Sequence, residues 1–376
     1  MLNQEKVFKT LANHGVSFFV GVPDSYLNGF CNYALENCGN RNIIAANEGN
    51  AVSIAAGYYF ASKEIPLVYM QNSGMGNAIN PLVSLADKDV YAVPMILLIG
   101  WRGQGETESN HPQHKLQGAI TPGLLDIMHI PYTVLEDDDT KFAEIVRKAA
   151  RYCKDTRQPY GLLAPKGVMA SADKPDHKDD MYPMSREKAI EVILDHLPEN
   201  TIYSATTGRA TRELFFLREK RDEMKIHDFL NVGSMGHASS VALGIALKKP
   251  ERRVVVLDGD SAAMMHMGAM TMVSKMNASN FLHVVLNNGA HESVGGQPSA
   301  GYKVDFTSIA EACGYATFGK AVENENELIE AIAKLKDCGR ASFIDCRIHK
   351  GLSRKLPPII FNHREAIDAL IDDLNS

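Results

Sequence analysis

The chain has 376 residues, 45% hydrophobic and 22% charged, a balance typical of a folded globular protein and not of a disordered chain or a fibre. Thirty-nine basic residues against 45 acidic give a net charge of −6, which argues against a nucleic-acid partner. No run reaches the ~18–20 apolar residues of a membrane span, and at roughly 100–200 residues per domain the length fits two domains.

Residues 1–16 read as an amphipathic helix with no signal-peptide core, so the cytoplasm is the expected compartment. The six cysteines form no CxxC and are expected to be free thiols. Short apolar strands at 18–20, 66–70, 94–99 and 161–164 alternate with helical patterns, and the first three run into glycine-containing turns. That alternation predicts a parallel sheet covered on both faces. Residues 171–184 are charged, carry Pro175 and Pro183, and read as a linker. A helix is expected from Ser185, with Ala189, Ile190, Ile193 and Leu197 on one face. Strands at 201–203, 253–257, 282–286 and 342–345 then repeat the alternation. Another helix, at about 325–337, opens on Asn324-Glu325-Asn326-Glu327, which has capping-box form. The expected fold class is α/β, with two doubly wound parallel-sheet domains, 1–170 and 185–376.

The strongest chemical signal is Leu257-Asp258-Gly259-Asp260-Ser261-Ala262, with Asn287-Asn288 beginning 25 residues after Ala262. Both elements follow strong apolar strands. A strand–helix–strand unit brings its two strand ends to one sheet edge, so Asp260 and Asn288 are expected to converge. One carboxylate and one amide oxygen suit a hard divalent ion and leave positions for phosphate and water. Gly259, Ser261 and Ala262 let backbone amides approach a phosphate at a helix start. A lone Gly-Asp is common in turns; the full pattern at this spacing is specific.

This pattern resembles that of the thiamine-diphosphate enzymes, whose motif is Gly-Asp-Gly, a spacer, then Asn-Asn; here Ser261 stands at the third position. The resemblance implies Mg²⁺ held by Asp260, the Asn288 side chain and the Ala290 carbonyl, with Thr207 on the diphosphate. Glu48, in Ala46-Asn47-Glu48-Gly49-Asn50-Ala51, matches the family glutamate beside the aminopyrimidine N1′. A carboxyl group there promotes loss of the thiazolium C2 proton. Gly233-Ser234-Met235-Gly236 resembles the segment that bends the coenzyme. Met235 would be the apolar wedge, and the Gly233 carbonyl would hold the 4′-amino group. Gly21-Val22-Pro23-Asp24-Ser25 and Asn72-Ser73-Gly74-Met75-Gly76-Asn77 match the loops on the substrate side.

Many members of this superfamily carry a third domain between the two catalytic ones. Here only the 171–184 linker separates a pyrimidine-type domain from a diphosphate-type domain. That suits the compact phosphonopyruvate and sulfopyruvate decarboxylases. Gly100-Trp101-Arg102-Gly103, Asn110-His111-Pro112-Gln113-His114, Thr207-Gly208-Arg209 and the stretch from Asn287 to Pro298 look like the phosphonopyruvate branch. The implied reaction converts 3-phosphonopyruvate into phosphonoacetaldehyde and CO₂ in phosphonate biosynthesis. An anionic 2-oxo acid bound by a chain of charge −6 needs local cations; Arg102, His111, His114, Lys115, Arg354 and Lys355 are candidates, and Ser25 of the first substrate-side loop is a further expected substrate contact. One of Asp24, His111, His114 or His291 supplies the proton that replaces CO₂, and the sequence leaves open which.

In this family the two halves sharing a coenzyme come from different chains, so a homodimer or larger homo-oligomer is expected, with no nucleic-acid or membrane partner. Sulfopyruvate is the alternative substrate. An inactive module on the same fold is a further alternative, whose mark would be loss of Glu48 or Asp260; both are present. A nicotinamide dehydrogenase is not supported, because no GxGxxG opens a helix after the first strand.

Overall fold

The computed structural model describes residues 1–105, 112–170, 181–223, 228–351, 356 and 362–376. The chain forms two compact units, Met1–Pro175 with Val294–Gln297, and Asp176–Ser293 with Pro298–Ser376. Most of the expected linker, 171–180, lies outside the described residues.

The first unit is built on a six-stranded sheet. Its strands are β1 (Phe19–Gly21), β2 (Asn42–Ile44), β3 (Leu67–Gln71), β4 (Ile96–Gly100), β5 (Tyr132–Val134) and β6 (Tyr160–Ala164), in spatial order β2-β1-β3-β4-β6-β5, all parallel. The second sheet contains β7 (Ile202–Ala205), β8 (Phe229–Leu230), β9 (Val254–Gly259) and β10 (Phe281–Asn287), extended by Ser342–Arg347 and then Ala316–Thr317 on the β10 side. It too is parallel, and its order beyond β10 is β10-β9-β7-β8. Numbered within its own unit, each sheet runs 2-1-3-4-6-5.

Continuous apolar runs become strands because both sheet faces are covered. In β3, Leu67 and Tyr69 join a core with Phe8, Phe30 and Leu98, while Val68 and Met70 join another with Ala51, Ala55 and Leu97. In β9, Val255 and Leu257 face one core and Val254 and Val256 the other. Fully burying such a side chain contributes about 1.5–3 kcal/mol. β3 and β4 start one and two residues later than expected, after Pro66 and after Pro94-Met95, because proline has no N–H to give a ladder. Ser185 caps the helix Arg186–His196 through Lys188 N–H, and Asn324 caps Glu325–Leu335 through Glu327 N–H.

The strand order places the site. In each sheet the chain leaves its first strand on both sides: β2 and β3 flank β1, and β8 and β9 flank β7. At such a reversal a crevice opens beyond the carboxyl ends of the strands. β1 and β3 lead into Val22–Ser25 and Asn72–Gly74 in the first unit; β7 and β9 lead into Thr206–Gly208 and Asp260 in the second. No described helix is long and apolar enough to cross a membrane.

A side chain at Gly21 would put its Cβ 2.0 Å from the Tyr69 carbonyl oxygen. Gly21→Ala should therefore cost about 1–3 kcal/mol through overpacking at the β1–β3 crevice. Urea unfolding checks this, and an unchanged midpoint would show that the two strands part freely.

Candidate active site

In the second unit Asp260 begins the helix Asp260–Met265 directly beyond β9 and is 2% exposed. Burial pushes its carboxyl up to about 6. Ser299 Oγ donates to Asp260 Oδ2. Gly301 lies so close that a Cβ there would fall 2.3 Å from Asp260 Oδ2 and 2.5 Å from Asn287 Oδ1. Only glycine lets the chain cross at that height. Asn288 is also buried; its Oδ1 accepts from Ala290 N–H at 3.2 Å and its Nδ2 donates to Glu292 Oε2 at 3.1 Å. Gly259 and Thr207 are half-buried at the β9 and β7 ends. Thr206 Oγ1 and Ser261 Oγ are buried without a hydrogen-bond partner among the described residues.

These groups fit the coenzyme that the sequence implies. A carboxylate, an amide oxygen and a backbone carbonyl are hard oxygen donors suited to Mg²⁺, and two orphaned hydroxyls beside them suit phosphate oxygens. A bound cation would offset the burial penalty on Asp260 and favour its ionised form. The loop Gly233–Gly236 follows β8. Gly233 N–H donates to Asn231 Oδ1 at 3.0 Å. Gly236 has φ +85°, and a Cβ there would lie 2.7 Å from the His266 ring and 3.0 Å from Met265 Cβ. The half-buried Met235 is thus keyed to the end of the helix that Asp260 begins.

In the first unit Glu48 starts the helix Glu48–Ser62 and is 3% exposed. Its Oε2 accepts from Asn77 Nδ2 at 2.7 Å, and Gly74 leaves room for Oε1, which a Cβ would meet at 2.0 Å. Desolvation raises the Glu48 carboxyl, and the Asn77 contact offsets only part of this.

Asp24, Ser25 and Arg102 come together at the β1 and β4 ends. Asp24 has no exposed surface. Its Oδ1 accepts from Gln71 Nε2 at 2.6 Å and Arg102 Nε at 3.1 Å; its Oδ2 accepts from Tyr26 N–H at 3.1 Å. Arg102 Nη2 also donates to Ser25 Oγ, and the guanidinium lies 4.4 Å from the centre of the Tyr26 ring. The Asn72 amide grips the Arg102 main chain from both sides, donating to its carbonyl at 2.9 Å and accepting from its N–H at 3.2 Å. Next to it, Trp101 Nε1 donates to the Gly118 carbonyl at 2.9 Å.

His114 lies buried in the helix Pro112–Ile127, with Nδ1 3.4 Å from Gln117 Oε1. His291 is half-buried, and desolvation lowers its imidazole to about 4. His111, Arg354 and Lys355 lie outside the described residues. Of the partners, Asn72, Asn77 and Glu292 fall inside segments that the family resemblance marks but carry no assigned role there, and Gln71 and Ser299 fall outside them. Each is a common residue type whose contact depends on the fold.

The thiamine pyrophosphate enzyme N-terminal binding-domain model matches residues 3–125, and the C-terminal one matches residues 207–346. A phosphonopyruvate decarboxylase of Streptomyces viridochromogenes is 33% identical, with 89% of this chain and 85% of that protein covered. Another from Streptomyces hygroscopicus is 33% identical, covering 84% and 80%. A sulfopyruvate decarboxylase of Methanosarcina acetivorans is 28% identical, covering 96% and 95%. With both domain models matched and two relatives of one chemistry aligned over 85% and 80% of their length, the chain belongs to the phosphonopyruvate decarboxylase family of thiamine-pyrophosphate enzymes and is a carboxy-lyase.

Proposed function

We propose that the chain decarboxylates 3-phosphonopyruvate to phosphonoacetaldehyde and CO₂, with thiamine diphosphate and Mg²⁺, as a cytoplasmic step of phosphonate biosynthesis. The observation that carries the substrate choice is Arg102, whose guanidinium is fixed by Asp24 and Ser25 and whose main chain is held by Asn72. Residues 1–170 act as the pyrimidine-type domain and 185–376 as the diphosphate-type domain, joined by the linker 171–184. Thiamine diphosphate, when bound, supplies the carbanion centre and the electron sink for the departing carboxylate.

The chain's own residues bind and orient. Asp260, Asn288 and the Ala290 carbonyl hold Mg²⁺. Thr207, Gly259, Ser261 and Ala262 take the diphosphate, and Met235 with the Gly233 carbonyl sets the coenzyme's bend. Glu48 faces the pyrimidine N1′. Its raised pKa suits a carboxyl that shares a proton with a ring nitrogen. Arg102, with Arg354 and Lys355, takes the phosphonate. His291 is neutral near pH 7 and orients substrate, leaving His111 or His114 to deliver the replacing proton. Asp24 is saturated by three donors and holds Arg102 in place. The assembly is a homodimer or larger homo-oligomer whose coenzyme sites draw on two chains.

Turnover on 3-phosphonopyruvate should exceed turnover on 3-sulfopyruvate when CO₂ release is measured; the reverse order would make the sulfonate the substrate. Arg102→Ala should lose about ten- to a hundred-fold in kcat/KM on phosphonopyruvate, the worth of one charge-assisted contact, and far less on unsubstituted pyruvate. Equal losses on both would assign Arg102 to the shared carboxylate. Mixing inactive Glu48→Gln and Asp260→Ala chains should restore activity in hybrids, and none after verified exchange would count against shared sites.

The Glu48 charge sets a pH signature in the coenzyme-free protein. A carboxyl whose folded pKa is raised adds stability below its ordinary value of 4.5, and that stability is lost as pH rises through the folded value. Glu48→Gln should therefore melt higher than the parent at neutral pH, with the gap closing below pH 4.5. A gap independent of pH in thermal scans would show that the carboxylate is not penalised by burial.

A further inference from the structure

Glu292 follows Asn288 by four residues, and its carboxylate is a junction. Oε2 accepts from Asn288 Nδ2 at 3.1 Å and from Arg186 Nη1 at 3.0 Å, while Oε1 accepts from Gly351 N–H. Arg209 stands close by, with Nε 3.7 Å from Oε2 and Nη2 3.4 Å from the Glu292 carbonyl. Arg186 also faces Glu213, at 3.4 Å. Two guanidinium groups thus hold the Glu292 carboxylate in place, with its side chain only 13% exposed.

An asparagine amide is planar, and its two flipped orientations have nearly the same shape. Only one turns oxygen towards a cation. An ionised carboxylate accepts and never donates, so the Asn288 atom facing Glu292 must be the amino nitrogen. That turns Oδ1 to the other side, where Ala290 N–H takes one of its lone pairs and leaves the second. The flipped amide would set Oδ1 against the Glu292 carboxylate and present N–H hydrogens to the metal.

We propose that Glu292 is a positioning residue that selects the metal-binding orientation of Asn288. The proposal rests on the reading of Asn288 as a Mg²⁺ ligand. Glu292 acts through the Asn288 amide, and its arginine partners hold it there. Partners of this kind are typically worth about 10–100-fold in metal affinity.

The test is a double-mutant cycle read by calorimetry. Thiamine diphosphate is titrated into the coenzyme-free protein at a series of Mg²⁺ concentrations, giving the Mg²⁺ midpoint for coenzyme binding. Asn288→Ala should raise that midpoint; Glu292→Ala should raise it too, by about ten-fold or more, and for the Glu292 variant kcat at saturating Mg²⁺ should change far less than the midpoint. In the Asn288→Ala background, Glu292→Ala should add no further shift. If Glu292→Ala fails to fold, Glu292→Gln takes its place; its neutral amide accepts more weakly and should shift the midpoint in the same direction, by about three-fold or more. An unshifted midpoint for Glu292, or an equal shift with and without Asn288, would overturn the proposal while leaving the ligand reading intact. An unshifted midpoint for Asn288→Ala would remove the ligand reading and the proposal with it.

Discussion

A parallel sheet whose chain order reverses cannot close its own edge. The segments leaving β1 and β3 part, as do those leaving β7 and β9, and a cleft opens beyond each pair of carboxyl ends. Polar groups can sit there without disturbing the covered faces. Asp24, Gln71, Thr206 and Asp260 all lie within a few residues of those four strand ends. The rest of each unit, with its paired cores, keeps four strand ends rigid enough to hold these side chains in place.

Three carboxylates show how burial and partners compete. Glu48 and Asp260 are each nearly inaccessible and meet only neutral side-chain donors, Asn77 and Ser299, so desolvation wins and both carboxyls are raised. Asp24 is more deeply buried but meets a guanidinium and two further donors. A buried charge with too few partners costs stability, so the first two are weak points of the fold in isolation. They are the positions where a ring nitrogen and a cation are proposed to complete the shell.

The strands legible in the sequence were all interior ones: β1, β3, β4, β6, β7, β9, β10 and Ser342–Arg347. Of the two six-stranded sheets, the strands that escaped, β2, β5, β8 and Ala316–Thr317, are the four edges. They are two or three residues long and mostly half-buried, so they carry no sustained apolar run. The site divides in the same way. Asp260 and Asn288 stood out through residue type and spacing, and Glu48 through the family resemblance. Their pairings were not legible: Asn77 lies in a motif matched to the family, but its bond to Glu48 29 residues away, like those of a glutamine 47 residues from Asp24 and a serine 39 residues from Asp260, exists only once the fold brings them close. Arg102 was legible as a cation, but its fixation by Asp24 across 78 residues was not.

The chain has a single tryptophan, Trp101, which lies between the end of β4 and the guanidinium-bearing Arg102. Its indole is half-buried against the apolar core beneath the sheet, while its N–H is tied to the Gly118 carbonyl of the neighbouring helix. Light absorbed at the red edge, where tyrosines are silent, is therefore emitted from one place only. A colour change or a change in quenching upon adding a small anion would report on this junction and on no other part of the molecule. The fold has, by accident of composition, fitted the segment after β4 with a built-in optical probe.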